Sequence, residues 1–252
     1  MEDIKIIEYK KMDLSKSMLV VAFPTVGLVS SIAGRYIIDS LELEYIGEIS
    51  SRFFIPATVI LKGVPRPPVR IYAGKKTCGE NGACDQIVVV ISEFMPPLDF
   101  IKPLSNAIMN WSERKGCSVI VTLEGLHTSD TKKPGVYGVS TTPRTKRMLE
   151  QLNIESIQEG MITGDSGVFL YEGARLQKDV ICLLADAHAS YPDSRAAGML
   201  LEILDKLLPG IKIDPEPLYR EADEIEKRIR KFLEQSKPTA PSITHLPSGM
   251  YG

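Results

Sequence analysis

The sequence has little of what several classes of protein require. Its 252 residues include four cysteines and one tryptophan, and no apolar run approaches the ~20 residues of a membrane-spanning helix. Four cysteines are too few for a disulfide scaffold in a chain of this length. Because 30 Lys and Arg face 32 Asp and Glu, the net charge is −2 and the basic excess of a general nucleic-acid binder is missing. We therefore expect neither a membrane protein nor a nucleic-acid-binding protein.

Targeting and cofactor signals are also scarce. The chain begins MEDIK, with acidic residues and no apolar segment of a signal peptide, so we expect a cytoplasmic protein. No second pair of cysteines or histidines completes a zinc site, and we expect neither metal nor cofactor. The glycine-rich stretch GMITGDSG at 160–167 lacks the lysine of a phosphate-binding loop and the spacing of a dinucleotide motif. We interpret it as a tight structural turn.

Two of the cysteines, Cys78 and Cys84, flank an Asn-Gly turn signal. This spacing predicts a hairpin in which the two residues face each other. Both a disulfide bridge and two free thiols are compatible with the spacing, and a cytoplasmic location disfavours the bridge. Cys117 and Cys182 lie at or inside apolar runs and are interpreted as small buried hydrophobic residues.

Continuous apolar runs at 18–23, 87–91, 119–123 and 180–185 are typical of strands buried on both faces. Helical patterns of apolar residues separate them, which favours an α/β fold. The stretch 44–72 is rich in β-branched and aromatic residues and is broken by Pro and Gly, which indicates short antiparallel strands. We therefore predict a three-layer α/β/α sandwich with a central mixed, mostly parallel sheet.

Local signals set the expected boundaries. We expect a polar loop over 125–138 and the end of a helix at Gly116. The residues expected to cap helix N-termini are Asp99, Thr142 followed by Pro143, and Asp193 or Ser194.

The chain divides into three parts by composition. Residues 1–214 are predicted to form the α/β core domain. Residues 215–235 carry apolar positions at helical spacing and predict an amphipathic helix, which we expect to pack on its own domain rather than on a partner. Residues 236–252 are rich in Pro, Ser and Thr and predict a flexible tail.

Only one pair of residues suggests catalysis. Asp186 and His188 follow the last buried strand, and the carboxyl ends of strands are where open α/β sheets place their sites. No other histidine completes a metal site with them, because His127 ends another loop and His245 lies in the tail. We expect Asp186 to brace the turn before Asp193 and His188 to hydrogen-bond within that turn.

Five segments together resemble the proteasome assembly chaperone family. They are FPTVGLV at 23–29, SEFMPP at 92–97, MITGDSG at 161–167, LLADAH at 183–188 and YPDSRAA at 191–197. The resemblance covers about residues 15 to 235 and implies a nucleoside-phosphorylase-like sandwich and a chaperone rather than an enzyme. Together with its C-terminal end, the chain is similar to the archaeal homologues of these chaperones, which bind the α-ring of the core proteasome.

The last three residues fit the hydrophobic–tyrosine–any-residue motif of proteasome activators. They are Met250, Tyr251 and Gly252. The resemblance implies that they bind the proteasome α-ring, with the carboxylate of Gly252 pairing with a lysine of the pocket. Because one weakly bound tail gains from multivalency, we expect a homo-oligomer, with a tetramer as the first choice.

The sequence thus predicts an ATP-independent proteasome assembly chaperone or activator that binds through its C-terminal tail. The alternative is an enzyme on a phosphorylase-like scaffold that acts on a nucleoside or phosphoester near Asp186 and His188. The tail separates the two hypotheses, because an enzyme has no need of a free Met-Tyr-Gly end.

Overall fold

The computed structural model describes residues 3–78, 84–127 and 134–235. A 3-10 turn at Val26–Leu28 precedes the first helix. The helices are α1 (Val29–Ser40), α2 (Leu98–Lys115), α3 (Pro143–Gln151), α4 (Gly164–Leu176), α5 (Ser194–Leu207) and α6 (Glu216–Gln235). The strands are β1 (Ile4–Glu8), β2 (Met18–Ala22), β3 (Glu44–Ser51), β4 (Val59–Leu61), β5 (Val64–Arg66), β6 (Val69–Ala73), β7 (Thr77–Cys78), β8 (Cys84–Asp85), β9 (Ile87–Ser92), β10 (Val119–His127), β11 (Val136–Ser140), β12 (Glu155–Ser156) and β13 (Val180–Ala187).

Nine of the strands form one mixed sheet in the order β1-β3-β6-β9-β2-β10-β13-β11-β12. Its centre, β9-β2-β10-β13, is parallel. On one side β6, β3 and β1 add antiparallel strands, and on the other β11 runs antiparallel to β13. The mixed sheet with a parallel centre and the antiparallel stretch within 44–72 are therefore confirmed. The nucleoside-phosphorylase likeness stays a prediction.

The four predicted apolar runs are the four central strands. Every residue of β2 and β9 is buried, as expected for strands covered by helices on both faces. One face packs into a core with α1, α3, α5 and the start of α6, and the opposite face packs into a second core with α2 and α4. This arrangement confirms three layers. No helix in the described ranges has both the length and the apolar character that crossing a bilayer requires.

Capping residues were predicted correctly in three places. Thr142 accepts a hydrogen bond from the Thr145 N–H at the start of α3 and forms a capping box. Asp193 rather than Ser194 caps α5. Gly116 ends α2 with φ +73°, a conformation that glycine adopts without strain.

The assignment of Asp99 as an N-cap is wrong. Helix α2 begins at Leu98, and its N-cap position is Pro97, two residues before the predicted cap. Asp99 lies inside the first turn, where its carboxylate is favourably placed against the positive end of the helix dipole. Pro97 disfavours a helical conformation at the residue before it, which keeps Pro96 out of the helix.

The predicted polar loop over 125–138 is wrong at both ends. Strand β10 continues to His127 because it pairs with β13 along its whole length, and β11 begins at Val136 because it pairs with the other side of β13. Tertiary pairing thus decides the structure of a segment whose local composition favours a loop.

The glycine-rich stretch at 160–167 is a helix start rather than only a tight turn. Helix α4 begins at Gly164, and two of its glycines are required by packing. A Cβ on Gly167 would lie 2.3 Å from the Ile162 carbonyl oxygen, and a Cβ on Gly173 would lie 2.6 Å from Val180 Cγ2. Gly167 and Gly173 thus allow close approach to neighbouring residues, whereas Gly164, with φ +74° and open space around it, is favoured for its backbone conformation, as in the predicted turn.

The cysteines fall in three environments. Cys182 is buried in β13, where burial raises the pKa of its thiol to about 12, and Cys117 is half-buried. Cys78 and Cys84 are direct partners in the β7–β8 hairpin, as the turn signal predicted. Their side chains lie outside the described residues, so the choice between a bridge and two thiols stays open.

Candidate functional site

The candidate site is sought at one edge of the sheet. Strands β9, β2, β10 and β13 are parallel, so their carboxyl ends meet at the same edge. Open α/β sheets bind ligands outside these ends. The sequence-predicted pair Asp186 and His188 follows this edge after β13, and Glu124 lies near the end of β10.

Asp186 binds a neighbouring loop. Its Oδ2 accepts a hydrogen bond from the Gly135 N–H at 2.9 Å and one from the Tyr137 hydroxyl at 3.4 Å. The carboxylate therefore ties β13 to the start of β11. The prediction that Asp186 braces the turn before Asp193 is wrong in its partner, because the side chain reaches across to β11.

The turn after β13 is braced by Asp193 instead. Its two carboxylate oxygens accept from the Ala196 N–H and the His188 N–H, each at 2.9 Å. The Asp193 N–H in turn donates to the Gly27 carbonyl at 2.8 Å, which links the turns after β13 and β2. Gly27 is needed there, because its φ is +62° and a Cβ would lie 2.7 Å from the His188 carbonyl oxygen.

His188 takes part in the turn through its backbone and packs its ring on Tyr191, with the ring centroids 4.7 Å apart. Asp186 and His188 thus lie near each other but contact different segments: Asp186 bonds to the start of β11, and His188 contacts the turn after β13. Across the described residues, no group of three or more His, Cys, Asp and Glu side chains converges to hold a metal ion.

A second polar group, which the sequence reasoning missed, lies between β10 and the start of α4. It consists of Thr122, Glu124, Asp165 and Ser166, and we call it the β10 cluster. Thr122 and Ser166 are fully buried and Asp165 is 3% exposed. Thr122 Oγ1, Asp165 Oδ1 and Ser166 Oγ have no hydrogen-bond partner of good geometry among the described residues, although the Ser166 hydroxyl lies near Glu124 and both hydroxyls lie near the Cys182 thiol. Buried polar atoms are usually paired, so three unpaired ones in one place are unusual.

Burial raises the pKa of both carboxyl groups in the β10 cluster. It raises the pKa of Glu124 to about 8, opposed in part by the nearby Ser166 hydroxyl and reinforced by the Asp165 charge. It raises the pKa of Asp165 to about 6, opposed by backbone N–H groups at the start of α4. Glu124 is therefore mostly protonated at neutral pH, so it can donate a hydrogen bond.

Glu124 also lines an open cleft of about 410 Å³. The walls are mainly apolar and come from the end of β10, from β11 and from the segment before α4, with Met161 and Leu126 exposed at the surface. A signal for Glu124 was present in the sequence, since a carboxylate directly follows the apolar run 119–123. Asp165 lies within the segment MITGDSG at 161–167, but no sequence pattern indicates its burial.

The predicted partner-binding residues Met250, Tyr251 and Gly252 lie outside the described residues. The helix that precedes them is attached to the core at its first turns. Leu218 and Ala222 are buried, and the Tyr219 hydroxyl donates to Glu202 of α5 at 2.6 Å. Arg195 of α5 pairs with Asp223 at 2.5 Å.

Gly198 makes this attachment possible. A Cβ at this position of α5 would lie 2.7 Å from the Tyr219 ring, so the bare backbone lets the ring pack directly on the helix. The first half of α6 therefore packs on its own domain, as expected.

These features define an α/β protein whose sheet edge carries braced turns and whose last helix is attached to the core. A family model described as the PAC2 family matches residues 19–233, and the chain belongs to this family.

Individual relatives support the same placement. The chain is 30% identical over 236 residues to an uncharacterized protein of Methanocaldococcus jannaschii, covering 93% of this chain and 92% of the relative. It is similar to Pyrococcus furiosus PbaA, described as an archaeal homolog of proteasome-assembly chaperone, with 29% identity, 92% of each chain covered and a TM-score of 0.80. Pyrococcus furiosus PbaB, described as an archaeal proteasome activator, shares the fold at 23% identity, with 92% and 100% of the two chains covered and a TM-score of 0.79.

Proposed function

We propose that this protein is an ATP-independent assembly chaperone or activator of the core proteasome. The observation that carries the proposal is the similarity to PbaA over 92% of both chains at 29% identity. Membership of the PAC2 family over residues 19–233 supports it, as does the shared fold with PbaB. The partner in this proposal is the α-ring of the core proteasome.

The contact is assigned to Met250, Tyr251 and Gly252, with Gly252 carrying the free carboxylate. The carboxylate pairs with a cationic side chain of the α-ring, Tyr251 buries its ring while keeping its hydroxyl bonded, and Met250 adds adaptable apolar contact. The 17 residues from 236 to 252 reach roughly 55 Å when fully extended, so the motif can contact a surface well away from the core domain.

The attachment of α6 supports this division of labour. Buried Leu218 and Ala222 and the Arg195–Asp223 ion pair hold the start of α6 on α5. The chain then leaves the core from a defined place, so the folded domain can stay unchanged while the last residues bind a partner. A homo-oligomer would present several such tails and bind through effective concentration.

Binding of purified core proteasome tests the proposal directly. We expect the wild-type chain ending at Gly252 to bind in biolayer interferometry. Deletion of residues 250–252, or Tyr251→Ala, should abolish binding, because the carboxylate and the aromatic anchor are lost. Ser248→Ala is the matched control in the same segment and should bind like the wild type.

A variant with added residues after Gly252 separates the carboxylate from the side chains and should also fail to bind. Equal affinity of the wild type and the 250–252 deletion, with unchanged thermal melts, would refute the proposed contact.

The alternative function, an enzyme that acts at Asp186 and His188, gains no support from the geometry. The Asp186 carboxylate is held by Gly135 and Tyr137, and the His188 ring stacks on Tyr191. The β10 cluster is the better candidate for chemistry on this scaffold, but the relatives point to the proteasome.

A further inference from the structure

The cleft that Glu124 lines has the size and the walls of a small-molecule site. Its volume of about 410 Å³ falls in the lower part of the range for ligand pockets, roughly 300–1,000 Å³. It lies at the carboxyl end of β10, the edge at which open α/β sheets bind ligands. Most of its walls are apolar side chains from the turn after β2, from β10 and β13, and from the segment between β12 and α4: Val26, Leu126, Ile157, Met161, Ile162 and Leu184.

The polar end of the cleft is the Glu124 carboxyl group, which is backed by buried polar atoms of α4. The fully buried Ser166 hydroxyl faces Glu124 and has no hydrogen-bond partner of good geometry among the described residues. This hydroxyl favours the ionised form of Glu124, because it can donate to a carboxylate oxygen. The cluster therefore holds a donor for a Glu124 carboxylate, and what it lacks is a positive charge to balance that carboxylate.

The charges around the cleft determine which ligand group fits. Among the described residues that line it, the ionisable side chains are Glu124, Glu159 and Tyr137, and none of them is basic. Behind Glu124, the Asp165 carboxylate makes the potential more negative. An anionic ligand would be repelled there, and a neutral ligand would leave the carboxylates unbalanced. A cation that donates hydrogen bonds complements this end of the cleft, and the apolar walls complement a hydrocarbon body.

The cation that fits is organic rather than a metal ion. In the part of the chain that the structure describes, no three His, Cys, Asp or Glu side chains converge as metal ligands. A primary ammonium group instead carries three donors on one compact charge, as the lysine side chain does. Glu124 supplies acceptors at the buried end of the cleft, and exposed Glu159 supplies acceptors near its opening.

We propose that this cleft binds a small primary amine with an apolar body, whose ammonium group pairs with the Glu124 carboxylate. The Glu124 carboxyl group releases its proton to the solvent as the ammonium group arrives, so the site exchanges one proton for one organic cation. The nearby cation favours the ionised carboxylate, and the Ser166 hydroxyl then donates to it. The site is separate from the C-terminal residues to which the proteasome contact is assigned.

Titration of Glu124 couples this binding to pH. Its pKa of about 8 falls between pH 7 and pH 9. The other titratable groups that face it are Asp165 on α4, Cys182 on β13, Tyr137 on β11 and Glu159 before α4. In this range Asp165, with a pKa of about 6, is mostly ionised, and Cys182, with a pKa of about 12, keeps its proton. A neighbouring carboxylate raises the pKa of Tyr137 above its ordinary value of 10.0, so Tyr137 also stays neutral.

Calorimetric titration of the full chain with n-hexylamine tests the proposal. This probe stays protonated like a lysine side chain, so its affinity should rise about tenfold between pH 7 and pH 9 as Glu124 loses its proton. Titrations at pH 7 in two buffers of different ionisation enthalpy should show release of about one proton per molecule bound. Hexanol and hexanoate have the same chain length and should bind at least about tenfold more weakly than hexylamine at pH 9. Equal binding of the three probes, or hexylamine affinity that does not change with pH, overturns the proposal.

The decisive variant is Glu124→Gln, which keeps the size of the side chain and removes its charge. At pH 9 it should lower hexylamine affinity by at least about tenfold and abolish the rise with pH. Glu159→Gln is the matched control, because it removes an exposed carboxylate of the same cleft and should keep that rise. Thermal melts confirm that both variants are folded. Wild-type binding by Glu124→Gln, or an equal loss of the pH dependence in both variants, contradicts the assignment. No proteasome is present in these titrations, so their result is independent of the proposed function.

Discussion

At the end of β13, the side chains that leave the core find partners, whereas at the end of β10 they do not. Asp193 uses both carboxylate oxygens on backbone N–H groups, and Asp186 is bonded to Gly135 and Tyr137. In the β10 cluster, three buried polar atoms lack partners and burial raises the pKa of both carboxyl groups. The two regions lie on adjacent strands of one sheet.

The difference teaches what each region does for the protein. Partnered polar groups at the end of a strand fix turns and stabilise the fold. Unpartnered buried groups cost free energy, and proteins keep such costs mainly where something other than stability is selected. The comparison therefore predicts opposite changes in the free energy of unfolding. Substitutions in the turn after β13 should lower it, and substitutions by uncharged residues in the β10 cluster should raise it.

Asp193→Ala should have the largest effect. It removes the N-cap of α5 and leaves the buried N–H groups of Ala196 and His188 without acceptors, so we expect a loss of about 2–4 kcal/mol in the free energy of unfolding. Urea denaturation measures it. Asp193→Asn keeps one carbonyl oxygen as a cap and is expected to lose less than half as much. Equal losses for the two variants would show that the cap hydrogen bonds contribute little.

Glu124→Gln should stabilise the protein in a pH-dependent manner. The folded-state pKa of Glu124, about 8, lies above its ordinary value of 4.5, so the folded state holds a proton that the unfolded chain releases. Stability from this group is fully present below pH 4.5 and is lost as the pH rises through 8. Because Gln does not titrate, the variant should gain up to about 4 kcal/mol over the wild type at pH 8.

The control for this substitution is the same comparison at pH 4.5, where the gain should vanish. Thermal melts of both proteins between these two pH values measure the difference. A gain that does not change with pH would place its origin in packing rather than in the proton.

Thr122→Val should give the smallest effect. The Thr122 hydroxyl is fully buried and has no hydrogen-bond partner of good geometry among the described residues, only the weakly interacting Cys182 thiol nearby, and valine replaces it with a methyl group of similar size. We expect a change between zero and a gain of about 1 kcal/mol in the free energy of unfolding. Thr145→Val is the contrasting control. The Thr145 hydroxyl donates to the Thr142 carbonyl at 3.1 Å, so its removal should lower the free energy of unfolding. A loss at Thr122 as large as at Thr145 would break the comparison.

The central sheet could be predicted from the sequence because its strands are buried on both faces. Continuous apolar runs such as 180–185 indicate buried strands without any alternation of polar and apolar residues. The caps at Thr142 and Asp193 could be predicted because their side chains bond to backbone N–H groups only three residues along the chain. Strand β11 could not be predicted, since its existence depends on pairing with β13 and its own five residues, which include a glycine and a serine, carry no periodic signal.

Helix α4 shows a different limit. Its buried face includes Asp165, Ser166, Glu172 and Gly173 as well as Phe169, so the apolar periodicity that marks other helices is absent. Close packing against Ile162 and Val180 explains the glycines, but only the tertiary structure reveals it. The β10 cluster was missed for the same reason: burial of Asp165 depends on where α4 lies, which the sequence pattern does not state.

The strand order also has a consequence for how the chain is made. Strand β2 is entirely buried between β9 and β10, yet residues 23–86 must be synthesised before β9 begins. At the usual rate of protein synthesis this takes roughly 3 to 13 s, far longer than local structure needs to form. The apolar strand β2 is therefore synthesised several seconds before its neighbours β9 and β10. Strand β10 is likewise synthesised before its neighbour β13. During its own synthesis, this protein thus depends on keeping a central strand from pairing with the wrong chain.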